Sequence, residues 1–177
     1  GVSRYLIGSV SEKVVRLSSV PVLTVRMQPD ETLAFPYENV LVPTDGSPAA
    51  THAAEQFVTF AASLDATVHV LSVVDDAGLG SAVQAAIAGA DSEQAATDAV
   101  GTVASEAETQ GVTDTVRHVV HGTPVEEILD CIESNDIHAV GMGTTGRQGT
   151  DRILLGSVAE KTARSAPVPV MSVKYSK

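Results

Sequence analysis

The chain has 177 residues and a formal net charge of −11, from 22 acidic and 11 basic residues, and 44% of it is apolar. This length suits one domain of about 100–150 residues with a short appendage, and it is too short for two complete domains. The negative charge disfavours binding to nucleic acid or to an anionic membrane surface, and the apolar runs are too short to span a bilayer. The single Cys131 excludes an internal disulfide. We therefore expect a soluble, cytoplasmic protein.

An internal repeat relates the two ends of the chain. When residues 1–26 are moved by 148 positions they fall on residues 149–174, and 13 of the 26 are identical. Because this offset is one domain length, we expect residues 1–26 to be the C-terminal helix and strand of an upstream copy. Residues 27–37, which contain two prolines, are then predicted to be a linker, and residues 38–177 a complete domain.

From residue 38 onwards, short segments rich in β-branched residues alternate with longer helical patterns. Five strands are predicted, at 39–43, 67–74, 115–120, 137–142 and 168–173. Crossovers of this length join parallel strands, and their right-handedness places helices on both faces of the sheet. The predicted fold is therefore α/β, an open five-stranded parallel sheet of the Rossmann-like type.

Four helices are predicted between these strands, at 48–64, within 91–110, at 124–134 and at 157–165. The first has Ser47 as its N-cap and Pro48 at its first position, both of which favour a helix start. Before the second helix, the Ala/Gly-rich stretch 77–90 is either a loop or a short extra helix. In the fourth helix, Ser157 and Glu160 have the spacing of a capping box.

A glycine pattern follows the fourth strand of the domain. Gly143, Gly146, Gly156 and Ser157 form the spacing Gly-x2-Gly-x9-Gly-Ser. Glycine allows a close approach of the backbone to a ligand, and a helix start presents unpaired amides and the positive end of the helix dipole. Arg147 adds a basic side chain within this loop. The pattern predicts a phosphate site, and the structural alternative is a loop of ordinary turn glycines before a capping serine.

These residues resemble the ATP-binding branch of the universal stress protein family. That branch carries the same glycine pattern, followed by Val-x-Glu-Lys, which is Val158-Ala159-Glu160-Lys161 here. The resemblance covers residues 38–174 and begins with the first strand and turn at 40–47. It implies the universal-stress type of Rossmann-like fold, with ATP or another adenine nucleotide such as AMP as ligand, together with Mg²⁺. It also implies a regulatory role in stress response with little or slow hydrolysis.

The resemblance also implies a role for individual residues at the carboxyl edge of the sheet. It places around the adenosine Pro43, Thr44, Asp45, Val73, Val74, Met142 and Gly143. It places around the phosphates Gly146, Arg147, Gly156, Ser157 and Val158. Independently of the family, Asp45 ends a strand at the expected switch point, where a carboxylate accepts from a ribose hydroxyl or supports Mg²⁺, although it is also a good turn residue. No catalytic residue and no defined metal ligand emerges from the sequence.

Two other functions stay open. An adenylating ligase or ATP pyrophosphatase on a related fold would carry Ser-Gly-Gly-x-Asp-Ser after its first strand, where this chain has Thr44-Asp45-Gly46-Ser47-Pro48. The second alternative is a dimerisation scaffold that binds no nucleotide. Because members of the family pair through their last strand, the resemblance implies either a homodimer or an internal pseudo-dimer in which strand 20–26 pairs with strand 168–174.

The five histidines have neither the spacing of a metal site nor the partners of a catalytic triad. His69, His118 and His138 lie within strand patterns, so we expect them to be hydrogen-bonded structural residues. Cys131 lies beside the apolar stripe of its helix and is expected to be inert packing.

Overall fold

A computed structural model describes residues 9–25, 35–75, 82–144 and 156–175. The elements in these ranges are α1 Ser9–Leu17, β1 Val22–Thr24, β2 Asn39–Pro43, α2 Pro48–Ser63, β3 Thr67–Val74, α3 Ala82–Thr109, β4 Thr115–His121, α4 Pro124–Ser134, β5 Ala139–Gly143, α5 Ser157–Ser165 and β6 Val170–Val173. Residues 27–34 of the predicted linker lie outside the described residues. None of the described helices is both long enough and apolar enough to cross a membrane.

The described strands form one sheet in the order β1-β6-β5-β2-β3-β4. Strands β2 to β6 run parallel to their neighbours, whereas β1 runs antiparallel to β6 of the same chain. The predicted α/β class is confirmed, and β1 adds a sixth strand to the five that were expected in the domain. The winding reverses at β2, because β3 and β4 lie on one side of it and β5 and β6 on the other. In such sheets the ligand site lies beyond the carboxyl ends of the strands at this reversal, here β2 and β5.

Both faces of the sheet are covered, and successive residues of a strand alternate between them. On one face, Val40 packs in a core cluster with Phe57 of α2 and Val103 of α3. On the other face, Leu41 packs in a second cluster that contains Ile128 of α4 and residues of α5. Burial on both faces explains why β2, β3 and β5 contain mostly apolar runs instead of an alternating pattern, whereas the edge strand β4 contains no fully buried residue.

Helix α3 differs from its prediction in length. It is one helix from Ala82 to Thr109, so the described part of the Ala/Gly-rich stretch is neither a loop nor a separate helix. Alanine has the highest helix propensity, and Gly89 has open space around it, so nothing in the described part interrupts the helix. The first buried side chain described in α3 is Ala96, and residues 90–94 are exposed. This part of α3 therefore contributes nothing to the core.

Strand β5 contains a glycine that is required for packing. Gly141 is buried at the centre of the strand, where a Cβ atom would overlap the ring of Phe57. Phe57 is the largest of the fully buried side chains that the structure describes, and it lies in the core between the sheet and α2. The missing side chain at Gly141 thus lets α2 approach β5 closely.

Candidate functional site

The carboxyl ends of β2 and β5 lie side by side and are followed by two buried threonines. Thr44 is 7% exposed and Thr144 is 6% exposed. The Thr44 N–H donates to the carbonyl of Leu71 at 2.8 Å, and the Thr144 N–H donates to the carbonyl of Val173 at 2.9 Å. The backbone at this edge is therefore anchored to the neighbouring strands on both sides of the switch point.

Asp45 forms the turn between β2 and α2. Its Oδ1 accepts from the Ser47 N–H at 3.0 Å, and Thr44 Oγ1 accepts from the Gly46 N–H at 3.2 Å. Gly46 has a φ of 73°, the left-handed conformation that glycine adopts most easily. Ser47 then caps α2 by accepting from the Ala50 N–H at 3.2 Å, as the sequence predicts. Asp45 thus stabilises the turn through its side chain, and its hydrogen bond to the Ser47 N–H holds the carboxyl group at the edge of the sheet.

Helix α5 begins at the same edge. The Gly156 N–H donates to the carbonyl of Thr144 at 2.6 Å, and the Gly156 carbonyl accepts from the Glu160 N–H at 2.9 Å. Gly156 is the N-cap of α5, and no side chain caps the helix. The capping box predicted from Ser157 and Glu160 is therefore wrong, because Ser157 is the first residue inside the helix and the residue before it is the N-cap.

The first turn of α5 carries donors that helix geometry leaves unpaired. Because the first bond of the helix comes from the Glu160 N–H, the N–H groups of Ser157, Val158 and Ala159 have no acceptor within the helix. These groups point out of the helix start, where the dipole is positive, beside the buried end of β5. A set of backbone donors at a helix N-terminus is suited to hold a phosphate.

The end of β3 supplies backbone groups of a different kind. The bond from the Thr44 N–H to the Leu71 carbonyl is the last described contact between the β2 and β3 segments. Val73 lies two residues further on the same side of β3, so its N–H and C=O point past the end of β2. Val74 faces β4, and its carbonyl accepts from the Gly122 N–H at 3.1 Å. Of the two predicted residues, Val73 is the one whose backbone is directed at the edge.

The structure brings most of the predicted site residues to one edge. At the ends of β2, β3 and β5 and at the start of α5 lie Pro43, Thr44, Asp45, Val73, Val74, Met142, Gly143, Gly156, Ser157 and Val158. Met142 is buried in the core cluster beneath α4 and α5, so its side chain packs in the core at this edge of the sheet. Gly146 and Arg147 lie outside the described residues. Within the described ranges, no group of three or more His, Cys, Asp or Glu side chains is arranged to hold a metal ion.

Three histidines have the structural roles that were predicted. His69 Nδ1 lies 3.0 Å from His118 Nε2, and the two rings stack with centroids 5.3 Å apart. Burial lowers the pKa of both rings, and the neighbouring His118 lowers the pKa of His69 further. His138 Nδ1 accepts from the Glu38 N–H at 3.0 Å. The His69–His118 pair was missed by sequence reasoning, because only the register between β3 and β4 shows that the two rings meet.

Cys131 is buried against the core of α4 and α5. Burial raises the pKa of its thiol, and a hydrogen bond with the Asn135 side chain opposes this shift. A buried, protonated thiol is a poor nucleophile, so the structure confirms the packing role of Cys131.

The fold and the edge together define a doubly wound α/β domain with a candidate ligand site at its switch point. Residues 36–174 match the Universal stress protein family, and the chain belongs to this family. A universal stress protein from Methanocaldococcus jannaschii is 34% identical over 144 residues, which are 80% of this chain and 84% of the relative.

Solved structures agree with this assignment. The universal stress protein UspA from Lactobacillus plantarum is 25% identical and has a TM-score of 0.69, over 77% of this chain and 97% of its own. A universal stress protein from Archaeoglobus fulgidus DSM 4304 is 25% identical, with a TM-score of 0.66. The match to this second structure covers 97% of the present chain but only 55% of the other.

Proposed function

We propose that this universal stress protein binds ATP or another adenine nucleotide, with Mg²⁺, at the carboxyl edge of β2 and β5. In this proposal it is a nucleotide-dependent regulatory module of a cytoplasmic stress response that hydrolyses ATP slowly or not at all. The observation that carries the proposal is the start of α5 beside the buried end of β5, where the N–H groups of residues 157–159 have no acceptor within the helix or elsewhere in the part of the chain that the structure describes.

The phosphates would be held by backbone donors. A protein of net charge −11 repels anions at long range, so a phosphate needs several donors close by. The N–H groups of Ser157, Val158 and Ala159 meet this need, and Gly146 and Arg147 would complete the phosphate site. The Gly156 N–H is already bonded to Thr144, so it is not one of these donors.

The adenosine would lie between the ends of β2, β3 and β5. The Val73 N–H and C=O offer the donor and acceptor pair that complements N1 and the amino group of adenine. With three Phe, three Tyr and no Trp in the chain, aliphatic residues such as Val and Met would contact the base instead of a stacked aromatic ring. The Asp45 carboxyl group is placed to accept from a ribose hydroxyl.

The residues at this edge also fit Mg²⁺ and slow turnover. Mg²⁺ keeps several waters and binds through substrate phosphates and one or two carboxylates, so Asp45 would be sufficient as the protein's contribution. Fast hydrolysis requires a base positioned for an attacking water. In this proposal the Asp45 carboxylate contacts the ribose or Mg²⁺ and does not serve as that base, and the neighbouring Thr144 is a buried, uncharged residue.

A structural neighbour adds support at the level of the fold. A universal stress protein with a TM-score of 0.60 and 24% identity was solved in complex with cAMP. The complex is a property of that protein, and it indicates that this fold is able to accommodate a nucleotide.

Calorimetric titration of the nucleotide-free protein with ATP, AMP and GTP in the presence of Mg²⁺, followed by assays of phosphate and pyrophosphate release, tests the proposal. We expect saturable binding of ATP with negligible turnover. Rapid release of pyrophosphate would instead indicate the adenylating ligase or pyrophosphatase. An absence of binding to any of the three nucleotides would indicate the scaffold.

A further inference from the structure

Strand β4 forms an open edge of the sheet, at the end away from β1. Among the described strands, β4 pairs with β3 alone. The Gly122 N–H donates to the carbonyl of Val74 in β3 at 3.1 Å. Because backbone groups alternate in direction along a strand, the even-numbered residues of β4 turn their N–H and C=O groups towards β3 and the odd-numbered residues turn theirs outward. Arg117 and Val119 therefore present a row of backbone donors and acceptors at the open edge.

The two faces of β4 are not covered equally. Helix α3 packs against β4, and Val119 joins the core cluster that contains Val103 of this helix. Helix α4, on the other face, lies mainly over β3. On that face Val116 is 39% exposed, and His118 and Val120 are each partly exposed. Strand β4 thus carries an incompletely covered row of side chains beside its open edge.

The sequence of β4 lacks the features that usually protect an edge strand. The strand runs for seven residues, Thr115–His121, with no proline, no lysine and a continuous register to β3, whereas natural edge strands are short, charged or bulged. Strand β1, at the other end of the sheet, has three residues. The only Lys, Arg, Asp or Glu of β4 is Arg117, and its guanidinium group lies 3.6 Å from the Glu108 carboxylate. The β4 edge is therefore long, regular and close to neutral on a chain that is acidic as a whole.

We infer that β4 is a self-association surface whose occupant is β4 of a second copy of this chain, antiparallel about a two-fold axis at His118. A two-fold axis perpendicular to the sheet keeps each face on its own side, so it passes through a residue pair of one kind. A centre at Arg117 would place two guanidinium groups directly opposite each other, which is unfavourable. A centre at His118 pairs all seven residues and places Val116 against Val120 of the second copy.

The backbone groups match in the same register. Arg117 would exchange two hydrogen bonds with Val119 of the second copy, because both residues turn their N–H and C=O groups outward. His118 would lie opposite His118 of the second copy as a non-hydrogen-bonded pair, the kind in which side chains come closest. The interface involves neither the last strand nor the ends of β2 and β5, so the inference does not depend on nucleotide binding.

Sedimentation equilibrium of the 177-residue chain and of two matched variants tests the self-association. Val116 and Leu23 are both 39% exposed and lie at opposite ends of the sheet, so a lysine at either position should leave the fold intact by circular dichroism. We expect the parent to form a dimer. Val116→Lys should weaken this dimer by about tenfold or more, because the ammonium group would be buried against Val120 of the second copy, and Leu23→Lys should leave it unchanged.

A parent that stays monomeric up to about millimolar concentration would overturn the inference. The same conclusion would follow if Val116→Lys dimerised as tightly as the parent, or if Leu23→Lys abolished the dimer.

Cysteine cross-linking tests the register. Cys131 is the only cysteine of the chain and is buried, so the parent should not cross-link under mild oxidation. In His118→Cys the two substituted residues would face each other with Cα atoms about 4.5 Å apart, within the range of a disulfide. Arg117→Cys is the control, because its counterpart in the second copy lies two positions further along the strand, beyond that range.

We expect a cross-linked dimer on a non-reducing gel for His118→Cys alone. Equal cross-linking of Arg117→Cys, or none in a folded His118→Cys chain, would contradict an antiparallel pair centred on His118.

Discussion

Thr144 and Gly156 are joined by a backbone hydrogen bond of 2.6 Å, from the Gly156 N–H to the Thr144 carbonyl. This bond joins the start of α5 to the end of β5. The Gly156 N–H is used in this bond, and the next three N–H groups have no acceptor within the helix. The first turn of α5, more than the glycine itself, would thus bind the phosphates.

Gly156→Asp should separate stability from nucleotide binding. An Asp N-cap accepts from the amides of the first turn and is favoured over glycine by a few tenths of a kcal/mol, roughly. Gly156 has a φ of −60°, which any residue adopts, so the domain should fold with an equal or slightly higher Tm. The carboxylate competes for the same amides and repels phosphate, so the ATP affinity should fall by about tenfold or more.

Gly156→Val provides the companion variant, because it adds bulk without an acceptor. Its ATP affinity should also be lost while its circular dichroism spectrum remains that of a folded chain, and its Tm should be lower than the parent's because valine is a poorer N-cap than glycine. If both variants bind ATP with the parent's Kd in calorimetry, the start of α5 does not hold the phosphates.

Two glycines in regular elements should respond to alanine in opposite directions. A Cβ at Gly141 overlaps the Phe57 ring in a packed core, so Gly141→Ala should destabilise the domain by about 1–3 kcal/mol. Gly101 lies within α3 and has open space where an alanine Cβ would be, so Gly101→Ala should stabilise the domain by about 0.5–1 kcal/mol. Urea unfolding of the three chains measures both effects. A Gly141→Ala chain as stable as the parent would show that α2 and β5 are not in close contact.

The strand and helix pattern could be predicted because burial on both faces gives β2, β3 and β5 short, mostly apolar runs. The predicted bounds of β2, β3, α4 and α5 agree with the structure, and β5 begins two residues later than predicted, at Ala139. The N-cap of α5 could not be predicted, because the choice between Gly156 and Ser157 depends on the long-range bond to Thr144. The side of β3 to which Val73 directs its backbone likewise depends on where β2 ends, a property of the sheet and not of the local sequence.

The paired rings of His69 and His118 should make stability depend on pH. Burial lowers the pKa of both in the folded chain, so below the ordinary value of 6.5 the unfolded chain binds more protons than the folded one. The contribution of the neutral pair is therefore fully present above about pH 6.5 and is lost as the pH falls through the folded pKa values. The unfolding free energy should decrease from pH 7 towards pH 5.

Replacing both rings, as in the variant His69→Gln/His118→Gln, provides the control. The difference in unfolding free energy between parent and variant should shrink as the pH falls, since glutamine does not titrate. Parallel pH profiles for the two chains would show that the pair contributes nothing to the acid sensitivity of the fold.

Recognition of adenine by the Val73 backbone predicts a specific preference among nucleotides. The Val73 carbonyl points past the end of β2, where it would accept from the adenine amino group, and the Val73 N–H would donate to N1. Inosine triphosphate presents a carbonyl oxygen in place of the amino group. This oxygen and the Val73 carbonyl are both acceptors, so they would face each other without a hydrogen bond. Because an unsatisfied or opposed polar pair costs about 1–3 kcal/mol, inosine triphosphate should bind about tenfold more weakly than ATP or worse.

The analogue 7-deaza-ATP, altered on the other edge of the base, should bind like ATP in the same calorimetric titration. Equal affinity for ATP and inosine triphosphate would remove Val73 from the site even if the phosphates bind at α5.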